Sequence, residues 1–364
     1  MCLFVGNKKS FVAQKDIVVY KYVRVLDSNK YITPFQYYSV KVNTLMVADG
    51  DSGDVVKENC KKYAISGGAI HACTSSKDRN FEECICLKAI IKEGTEFWVQ
   101  DDFKQIAARS LYITDEVVEE NETTDFKDIY VSILKNTKKH KGGIKVGHFL
   151  LSNKTYASPL SKFDHSKAIA VVIGFNPEDG SPIHAALEKT HLSFLENYYA
   201  NSCHSIIINR KDLTRDFDGY KHTYDIANAD DYNADLFKAV DYCINYSTEG
   251  TNKGDWHLGA GGEIIMLAQN LGIVNASMLL TNIGTPITFD FFWTSSQSRD
   301  KQNTWHNVCS WAVRLDDCFS NYYWNSWYYN FQVRPLLVFN NKRKRSYIKL
   351  LRNKLLKLFK KNNN

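Results

Sequence analysis

Residues 319–339 read FSNYYWNSWYYNFQVRPLLVF, an aromatic stretch that runs directly into an apolar one. The first thirteen of these residues hold eight aromatic side chains and three asparagines. Tyr, Trp, Asn and Ser together offer rigid contact area and adaptable hydrogen bonding, as in antibody paratopes. The run at 333–339 is typical of a strand that closes a core. The stretch therefore predicts either a binding surface beside a closing strand or an aromatic-rich hairpin packed under its neighbours.

The composition is that of a soluble globular protein with a local excess of positive charge. The chain has 364 residues, enough for two domains, with 44% hydrophobic and 24% charged residues. Residues 340–364 contain ten Lys or Arg and no acid, so residues 1–339 hold 36 basic and 40 acidic residues, a balance of −4. We therefore expect no nucleic-acid partner for the body of the protein.

The N-terminal sequence and the cysteines indicate a reducing compartment. The start, MCLFVGNKKSFVAQKD, has only a four-residue apolar run, so we expect no secretory signal peptide. No segment approaches the ~20 apolar residues of a membrane span. Nine scattered cysteines, an odd number, do not form a disulfide framework. We expect synthesis in a cytoplasm, with cell lysis as a route outside.

The N-terminal part predicts a small β-rich domain over residues 1–115. Residues 16–23 are rich in β-formers, and residues 82–91 alternate between apolar and polar side chains, as in a half-buried strand. A charged linker follows at 116–143, acidic first and basic later. A short helix is expected within it at 129–134.

The remainder predicts a second domain at 144–340 and a basic tail at 341–364. In the domain, helices are expected at 233–246, with Asn233 as the N-cap, and at 262–271. The tail repeats apolar residues at spacings of three and four, with Lys and Arg elsewhere. A short coiled coil, a membrane-surface helix and a solvated extension all fit this basic amphipathic pattern.

Motifs for catalysis or cofactor binding are weak. Residues 259–263 (GAGGE) resemble a phosphate-binding loop, but Ile264 occupies the sixth position of G-x-G-x-x-G, and we expect no strand to lead directly into the loop. The chain has no P-loop, no G-x-S-x-G elbow and no H-E-x-x-H motif. Residues 216–219 (DFDG) start like a calcium loop but lack its terminal Glu, which predicts a turn. We therefore expect no catalytic residues and no cofactor.

The strongest candidate for a metal site combines His71 and Cys73 with Cys84 and Cys86, and with Cys60 as a further ligand. Strand alternation places the two neighbouring cysteines on one face, opposite the apolar residues beside them. Structural zinc sites use C-x₂₋₄-C pairs rather than C-x-C. Free, half-buried thiols are therefore the expected outcome, with no bound metal; zinc-dependent or transferase chemistry in this domain is the alternative.

Several short motifs in the second domain follow one another in a familiar order. They are VG at 146–147, KTY at 154–156, AIAVV at 168–172, DGYKHT at 218–223, AVDYC at 239–243, GDWHL at 254–258, GE at 262–263, FWTSS at 292–296 and VRP at 333–335. Together they resemble the C-type-lectin-like domain of variable proteins from diversity-generating retroelements, over roughly residues 145–339. The resemblance implies an α+β fold of the formylglycine-generating-enzyme type, preceded here by the small β-rich α+β domain.

The sequence departs from this family at several points. Gly259 stands in place of the usual Pro, and His148 in place of Asp. The Glu-Pro-Asn signature of calcium-dependent sugar binding is absent, so that activity does not carry over. The reactive cysteine pair of formylglycine-generating enzymes has no clear counterpart in Cys309 and Cys318, so we do not transfer that activity either.

The N-terminal unit resembles, more faintly, a small phage domain of unknown function. The matching residues are YK at 20–21, TP at 33–34, GAIHAC at 68–73 and IKEG at 91–94. Its position ahead of the lectin-like domain is the basis for expecting a role in attachment to other virion proteins.

The retroelement resemblance implies a set of diversified positions. Adenine mutagenesis of Asn-type codons gives residues such as Asn, Tyr, Ser, Asp, His and Phe, but not Lys, Glu, Gln, Met or Trp. Residues 303–339 contain no Lys, Glu or Met and a single Gln. The expected variable, ligand-binding positions are His306, Asn307, Asp317, Phe319, Asn321, Tyr322, Tyr323, Asn325, Ser326, Tyr328, Tyr329 and Asn330. The expected fixed scaffold is Trp256, Trp293, Trp311 and Arg334, with Trp305, Trp324 and Trp327 also invariant.

The sequence thus predicts a phage receptor-binding or fibre-tip protein, carried on the virion, that recognises a host cell-surface protein or glycan. The prediction is binding without catalysis, and by analogy with phage fibres a homotrimer. The alternative is an enzyme-like or non-diversified member of the same lectin-like fold that acts in the cytoplasm. In that alternative, the aromatic side chains belong to the core.

Overall fold

The computed structural model describes most of the chain as a mixed α+β protein with mainly antiparallel sheets, which confirms the predicted class. The described residues are 3–5, 10–27, 30–34, 39–48, 55–57, 63–65, 69–76, 84–118, 122–194, 208–209, 211–229, 232–298, 309–315, 320–323 and 329–339. They form two compact units, each assembled from separate segments. Unit 1 comprises Met1–Ile173, Ile264–Phe292 and Val313–Asn321; unit 2 comprises Gly174–Glu263, Trp293–Ala312 and Tyr322–Asn364. The predicted boundaries at 115, 143 and 340 stay predictions.

The helices and strands of the described residues are numbered in chain order. The α-helices are α1 Phe126–Asn136, α2 Gly219–Ala227, α3 Lys238–Asn245, α4 Gly261–Gln269 and α5 Leu271–Thr281. The strands are β1 Leu3–Val5, β2 Phe11–Val12, β3 Ile17–Asp27, β4 Lys30–Ile32, β5 Ser39–Val40, β6 Thr44–Val47, β7 Val55–Lys57, β8 Tyr63–Ile65, β9 Ile70–Cys73, β10 Cys84–Ile91, β11 Glu96–Val99, β12 Gln105–Ala108, β13 Ser110–Val117, β14 Phe149–Leu151, β15 Tyr156–Ala157, β16 Ala168–Phe175, β17 Pro182–Ala186, β18 Thr190–Leu192, β19 Trp256–His257, β20 Phe291–Ser298, β21 Cys309–Arg314, β22 Ser320–Tyr323, β23 Phe331–Val333 and β24 Leu336–Val338.

Unit 1 is organised around one large antiparallel sheet. Its strands follow the order β2-β11-β12-β9-β3-β10-β13-β6, with β4 joined to β3 and β5 joined to β4. The longest pairing joins β3 to β10, where Ile17 lies opposite Ile91 and Arg24 opposite Cys84. Along β10, Leu87, Ala89 and Ile91 face the core, so the predicted alternation is confirmed. Smaller groups in this unit follow the orders β1-β8-β7 and β15-β14-β16.

Helices α1 and α5 of unit 1 pack on the apolar side of this sheet. Helix α1 confirms the helix expected in the charged linker, and its N-cap Asp125 accepts a hydrogen bond from the Lys127 amide. Its buried residues Ile129 and Ile133 join the same core cluster as Ile273 of α5. In the described residues no single helix is long and apolar enough to span a membrane; only α4 and α5 taken together, bent by 65° at their break, reach that length and apolarity.

Unit 2 contains two strand groups and two short helices. One group has the order β17-β24-β19, and the other has the order β18-β23-β20-β21-β22, whose strands lie mostly in this unit. The apolar run at 333–339 contains the end of β23 at Val333 and all of β24, so the single strand expected there is interrupted at Arg334 and Pro335; Leu336 and Leu337 are buried, as expected for a core strand. The β24 strand pairs with β17 on one side and with β19 on the other.

The predicted start of the helix at 233–246 is wrong. Helix α3 begins at Lys238, with Phe237 as its N-cap residue. The Asn233 side chain instead accepts a hydrogen bond from the Asp235 amide, and the Asn233 carbonyl accepts one from Phe237. Asn favours such local turns as strongly as it favours helix caps, and here the turn forms ahead of the helix.

Candidate functional site

A column of aromatic rings leads from the interior of unit 2 to the end of the predicted variable segment. We call it the aromatic column; it consists of Phe194, Trp293, Phe331 and Tyr329. The centroid of the Trp293 ring lies 5.8 Å from that of Phe194 and 4.7 Å from that of Phe331. The Tyr329 ring stacks on Phe331 with centroids 5.3 Å apart. Phe194 and Trp293 are buried, whereas Phe331 and Tyr329 are half-buried, so the column becomes more exposed along its length.

Two indole groups fix the strands under this column. The Trp293 N–H donates to the Leu192 carbonyl at 2.9 Å, and the Trp311 N–H donates to the Ile208 carbonyl at 2.9 Å. The Ile208 amide in turn donates to the Gln297 carbonyl on β20 at 2.8 Å. Each buried indole therefore has a main-chain partner, which holds neighbouring segments of unit 2 in register.

The other two expected scaffold residues are also buried in unit 2. The Trp256 N–H donates to the Thr251 hydroxyl at 3.0 Å, and the Tyr246 ring meets the indole edge to face. The Arg334 guanidinium, 1% exposed, donates to the Ala186 carbonyl at 2.9 Å. Burial lowers the pKa of Arg334 to about 10. A desolvated guanidinium with main-chain hydrogen bonds is a specific packing element of this core.

The predicted variable positions are described only in part. Asn321, Tyr322 and Tyr323 lie on β22, and their side chains are outside the description. Tyr329 is half-buried and Asn330 is exposed. The other expected positions lie outside the described residues; they are His306, Asn307, Asp317, Phe319, Asn325, Ser326 and Tyr328. The choice between a binding surface and an aromatic core therefore depends here on Tyr329 and Asn330, at the end of the segment.

Unit 2 also contains a buried set of polar side chains that the sequence did not reveal. We call it the carboxylate network; its members, each no more than 8% exposed, are Asp216, His222, His257, Glu263 and Ser296. One oxygen of Asp216 lies 2.9 Å from the His222 Nε2, and the other accepts from the Ser296 hydroxyl. The Glu263 carboxylate lies 3.2 Å from the His257 Nε2.

The main chain of 260–262 joins the two carboxylates of the network. The amides of these three residues donate, in order, to the Glu263 carboxylate, the Ser296 hydroxyl and the main-chain oxygen of Asp216. Contrary to our expectation, a strand (β19, two residues long) does lie just ahead of this loop. The N–H groups that a phosphate would need are nevertheless bonded to the protein itself. The glycine-rich loop thus directs its N–H groups to acceptors within the protein, which explains its resemblance to a phosphate loop.

The arrangement of the network suits a structural role better than nucleophilic catalysis. In a serine nucleophile site, the imidazole contacts the hydroxyl and the carboxylate orients the imidazole. Here the Asp216 carboxylate lies between the Ser296 hydroxyl and the His222 ring and accepts from both. Burial by itself raises the pKa of Asp216, but the hydrogen bonds from His222, Ser296 and the Asp218 amide outweigh it, so the pKa is lowered. The carboxylate therefore stays charged and holds its donors in place.

The cysteines of unit 1 converge as expected from strand alternation. Cys73, Cys84 and Cys86 share one face of the large sheet with Tyr20 and Tyr22. Burial raises the pKa of Cys86 to about 12, which disfavours the thiolate that a metal requires. Within the described ranges no three His, Cys, Asp or Glu side chains are grouped as metal ligands, and Cys60 lies outside those ranges.

Comparisons with known proteins give no match: no family model, no curated protein and no solved structure is similar to this chain.

Proposed function

We propose that the chain is a phage receptor-binding or fibre-tip protein. A lectin-like domain at 144–340 would display a diversified aromatic-polar surface to a host cell-surface protein or glycan. Residues 1–115 would attach it to other virion proteins. The observation that carries the proposal is the aromatic column, because it links a buried, hydrogen-bonded scaffold at Trp293 to exposed Asn330 at the end of the segment.

The column supports this function by separating a fixed part from a replaceable part. Trp293 and Trp311 each bond to a main-chain carbonyl, so substitution at either position would leave a buried partner unsatisfied. The exposed Asn330 side chain has no such constraint. A surface that varies in sequence needs such a rigid support, since binding energy is lost whenever the scaffold reorganises.

The composition of the segment supports the choice of ligand class. Tyr and Trp bury large areas at low entropy cost, and Asn and Ser adapt their hydrogen bonds to the partner. Residues 303–339 contain no Lys, Glu or Met, which is the pattern that adenine mutagenesis of Asn-type codons would leave. The surface would therefore recognise its partner mainly by shape and hydrogen bonding, with Asp317 as the one acidic residue among the twelve expected positions.

Deep sequencing of the coding region across a natural population tests the proposal. We expect substitutions to cluster at the twelve Asn-type positions between residues 306 and 330, with Trp305, Trp311, Trp324 and Trp327 unchanged. The matched control is 168–175, the buried strand β16, where substitutions should be sparse. Sparse and uniform variation along both segments would overturn the diversified surface.

A further inference from the structure

Unit 1 contains a stretch that is rich in lysine and has no acidic residue. Residues 129–163 include seven lysines and neither Asp nor Glu, although residues 1–339 as a whole carry more acid than base. Five of these lysines fall within residues 135–145, around the turn that follows α1. The positive charge is therefore concentrated on one loop of a unit whose remaining surface is of mixed sign.

The structure groups several of these cations around that turn. Lys138 and Lys139 are exposed, and Lys145 and His148 are half-buried. We call these four residues the lysine patch. The Lys145 ammonium lies 3.3 Å from the Leu134 carbonyl and 3.4 Å from the next one, so it is held at the C-terminal end of α1. The His148 amide donates to the Lys145 carbonyl, which places the main chain of His148 on a turn with Lys145.

Burial and neighbouring positive charges in the lysine patch lower the pKa values of His148 and Lys145. Burial lowers the pKa of His148, and the charges of Lys145 and Lys139 lower it further. Burial likewise lowers the pKa of Lys145, with Lys139 adding to the effect. Within the described part of the chain, no carboxylate pairs with Lys138, Lys139 or Lys145, whereas Lys88, Lys92 and Lys221 all form ion pairs. The patch thus holds positive charge without a described carboxylate partner, and an anion would relieve the repulsion between these charges.

The turn itself leaves room for a ligand. Gly142 and Gly143 both have φ of 78°, a backbone conformation that favours glycine. A methyl group added to either would meet no atom within 4 Å, so the surface beside the cations is open. An extended anionic chain could therefore approach the main chain closely between Lys139 and Lys145.

We propose that Lys138, Lys139, Lys145 and His148 form a binding site for the phosphate groups of a host-surface polysaccharide. Ammonium groups bind phosphate as point charges, and the His148 ring adds a directional N–H donor and, when protonated, a positive charge. Residues 135–148 contain no Phe, Trp or Tyr on which a base would stack, which favours a glycan over a single-stranded nucleic acid. The choice of a host polysaccharide rests on the proposed function, whereas the phosphate site does not.

Titration of the full-length protein with inorganic phosphate tests the site. We expect the His148 resonance to shift and its pKa to rise on binding, because the anion offsets the charges of Lys139 and Lys145. Lys138→Gln/Lys139→Gln should weaken phosphate binding roughly tenfold at low salt. Lys104→Gln/Lys162→Gln removes the same charge from exposed lysines outside the patch and should leave binding unchanged. No response of His148, or equal losses in both double variants, would overturn the site.

A polymer comparison then tests the source of the phosphate. Poly(glycerol phosphate) should bind the wild type more tightly than single-stranded (dT)20, with the same dependence on Lys138 and Lys139. Tighter binding of (dT)20 would overturn the polysaccharide assignment. These results are independent of the population sequencing, because the diversified segment and the lysine patch share no residue. The failure of one proposal can therefore be recognised whatever the outcome of the test of the other.

Discussion

Unit 1 and unit 2 bury different kinds of side chain. The largest core cluster of unit 1 consists of aliphatic and aromatic residues on one face of its sheet, such as Leu87, Ile106 and Ile133. Unit 2 buries rings as well, but it also encloses two carboxylates, three histidines and an arginine, each no more than 8% exposed. Apolar packing is non-directional, whereas buried charges require partners at fixed distances. Hydrogen bonds between buried charged groups thus specify more of the geometry in unit 2, although unit 1 also buries Lys21 and Asp101.

This difference indicates which unit tolerates sequence change. A core of aliphatic residues accepts swaps of similar volume at a cost usually below about 1.5 kcal/mol. A buried carboxylate that loses its donors is far more costly, because the charge is left unpaired. We infer that the network supplies the rigidity on which the proposed variable segment would depend, and that the core of unit 1 is held mainly by apolar burial.

The largest effect is expected from removal of the central carboxylate of unit 2. Asp216→Ala leaves the Ser296 hydroxyl and the His222 ring without their acceptor and should lower the free energy of unfolding by about 3–5 kcal/mol. Lys221→Ala, which removes a partly exposed ion pair on α2, should cost below about 1 kcal/mol. Chemical denaturation of both variants measures the difference. Equal costs would show that the network is not the specific element of this core.

Low pH should destabilise the protein through the same network. Because the folded-state pKa of Asp216 lies below its ordinary value of 3.8, its stabilisation is fully present above that value and is lost as the pH falls through the lower one. Hydrogen exchange followed at low pH should therefore show β20 and the start of α4 opening in the wild type. Asp216→Asn, which has no such proton to gain, should have a weaker pH dependence below 3.8. An unchanged profile would contradict the assignment.

A smaller loss is expected when the space around the network is filled. A Cβ on Gly219 would overlap the Glu263 carboxylate and lie 2.6 Å from the Ala260 amide nitrogen. Gly219→Ala should therefore cost about 1–3 kcal/mol of unfolding free energy. In unit 1, Gly272→Ala on α5 meets its nearest atom, on the Asp101 side chain, at 3.0 Å, and the added helix propensity should offset the contact. A reversal of this order in thermal denaturation would remove the distinction between the units.

Local patterns predicted the elements better than the contacts between them. The alternation at 82–91 identified β10 and the face of its cysteines, because strand periodicity is a local property. The hydrogen bond between Ser296 and Asp216 joins residues 80 positions apart, and no spacing rule announces such a pair. The motifs DGYKHT and GDWHL contain His222 and His257 of the network, but the sequence did not show which atoms these side chains contact.

The wrong helix start at Asn233 and the resemblance of residues 259–263 to a phosphate loop have the same physical origin. Asn233 can cap a helix or close a turn, and its neighbours decide between the two. The loop at 259–263 has the glycines of a phosphate site, but here they let the main chain approach Leu213 and Asp216 closely. A glycine pattern indicates that the main chain approaches another group closely, but only the fold shows whether that group is a ligand or another part of the protein.

In unit 1 the sharpest test is a substitution that should stabilise the protein. Lys21 lies opposite Leu87 on the core side of the sheet and is 8% exposed, and burial lowers its pKa to about 8 although Cys73 acts in the other direction. Its ammonium donates to the His71 carbonyl at 2.6 Å, and among the described residues this buried cation has no carboxylate partner. Lys21→Met should therefore raise the free energy of unfolding at pH 7 by about 1–3 kcal/mol.

The pH dependence of the wild type provides an independent check on Lys21. The folded-state pKa of about 8 lies below the ordinary value of 10.5, so the stability of the wild type should rise as the pH increases between these values. Lys21→Met should lack this rise. Lys88→Met, which alters an exposed pair with Glu116, serves as the control. A loss of stability in Lys21→Met would mean that the His71 bond outweighs the desolvation of the ammonium.

The smallest effect is expected at the exposed end of the aromatic column. Asn330→Ala should change the free energy of unfolding by below about 0.5 kcal/mol, because the side chain is exposed. Gln332→Ala, two residues further along and 1% exposed, should cost about 1–3 kcal/mol, since buried polar contacts are lost. The pair separates the two interpretations of the aromatic segment. If Asn330 is as costly to replace as Gln332, the segment belongs to the core, and its aromatic residues are not free to vary. If only Gln332 is costly, the boundary between scaffold and surface falls between these two positions, where a diversified surface requires it.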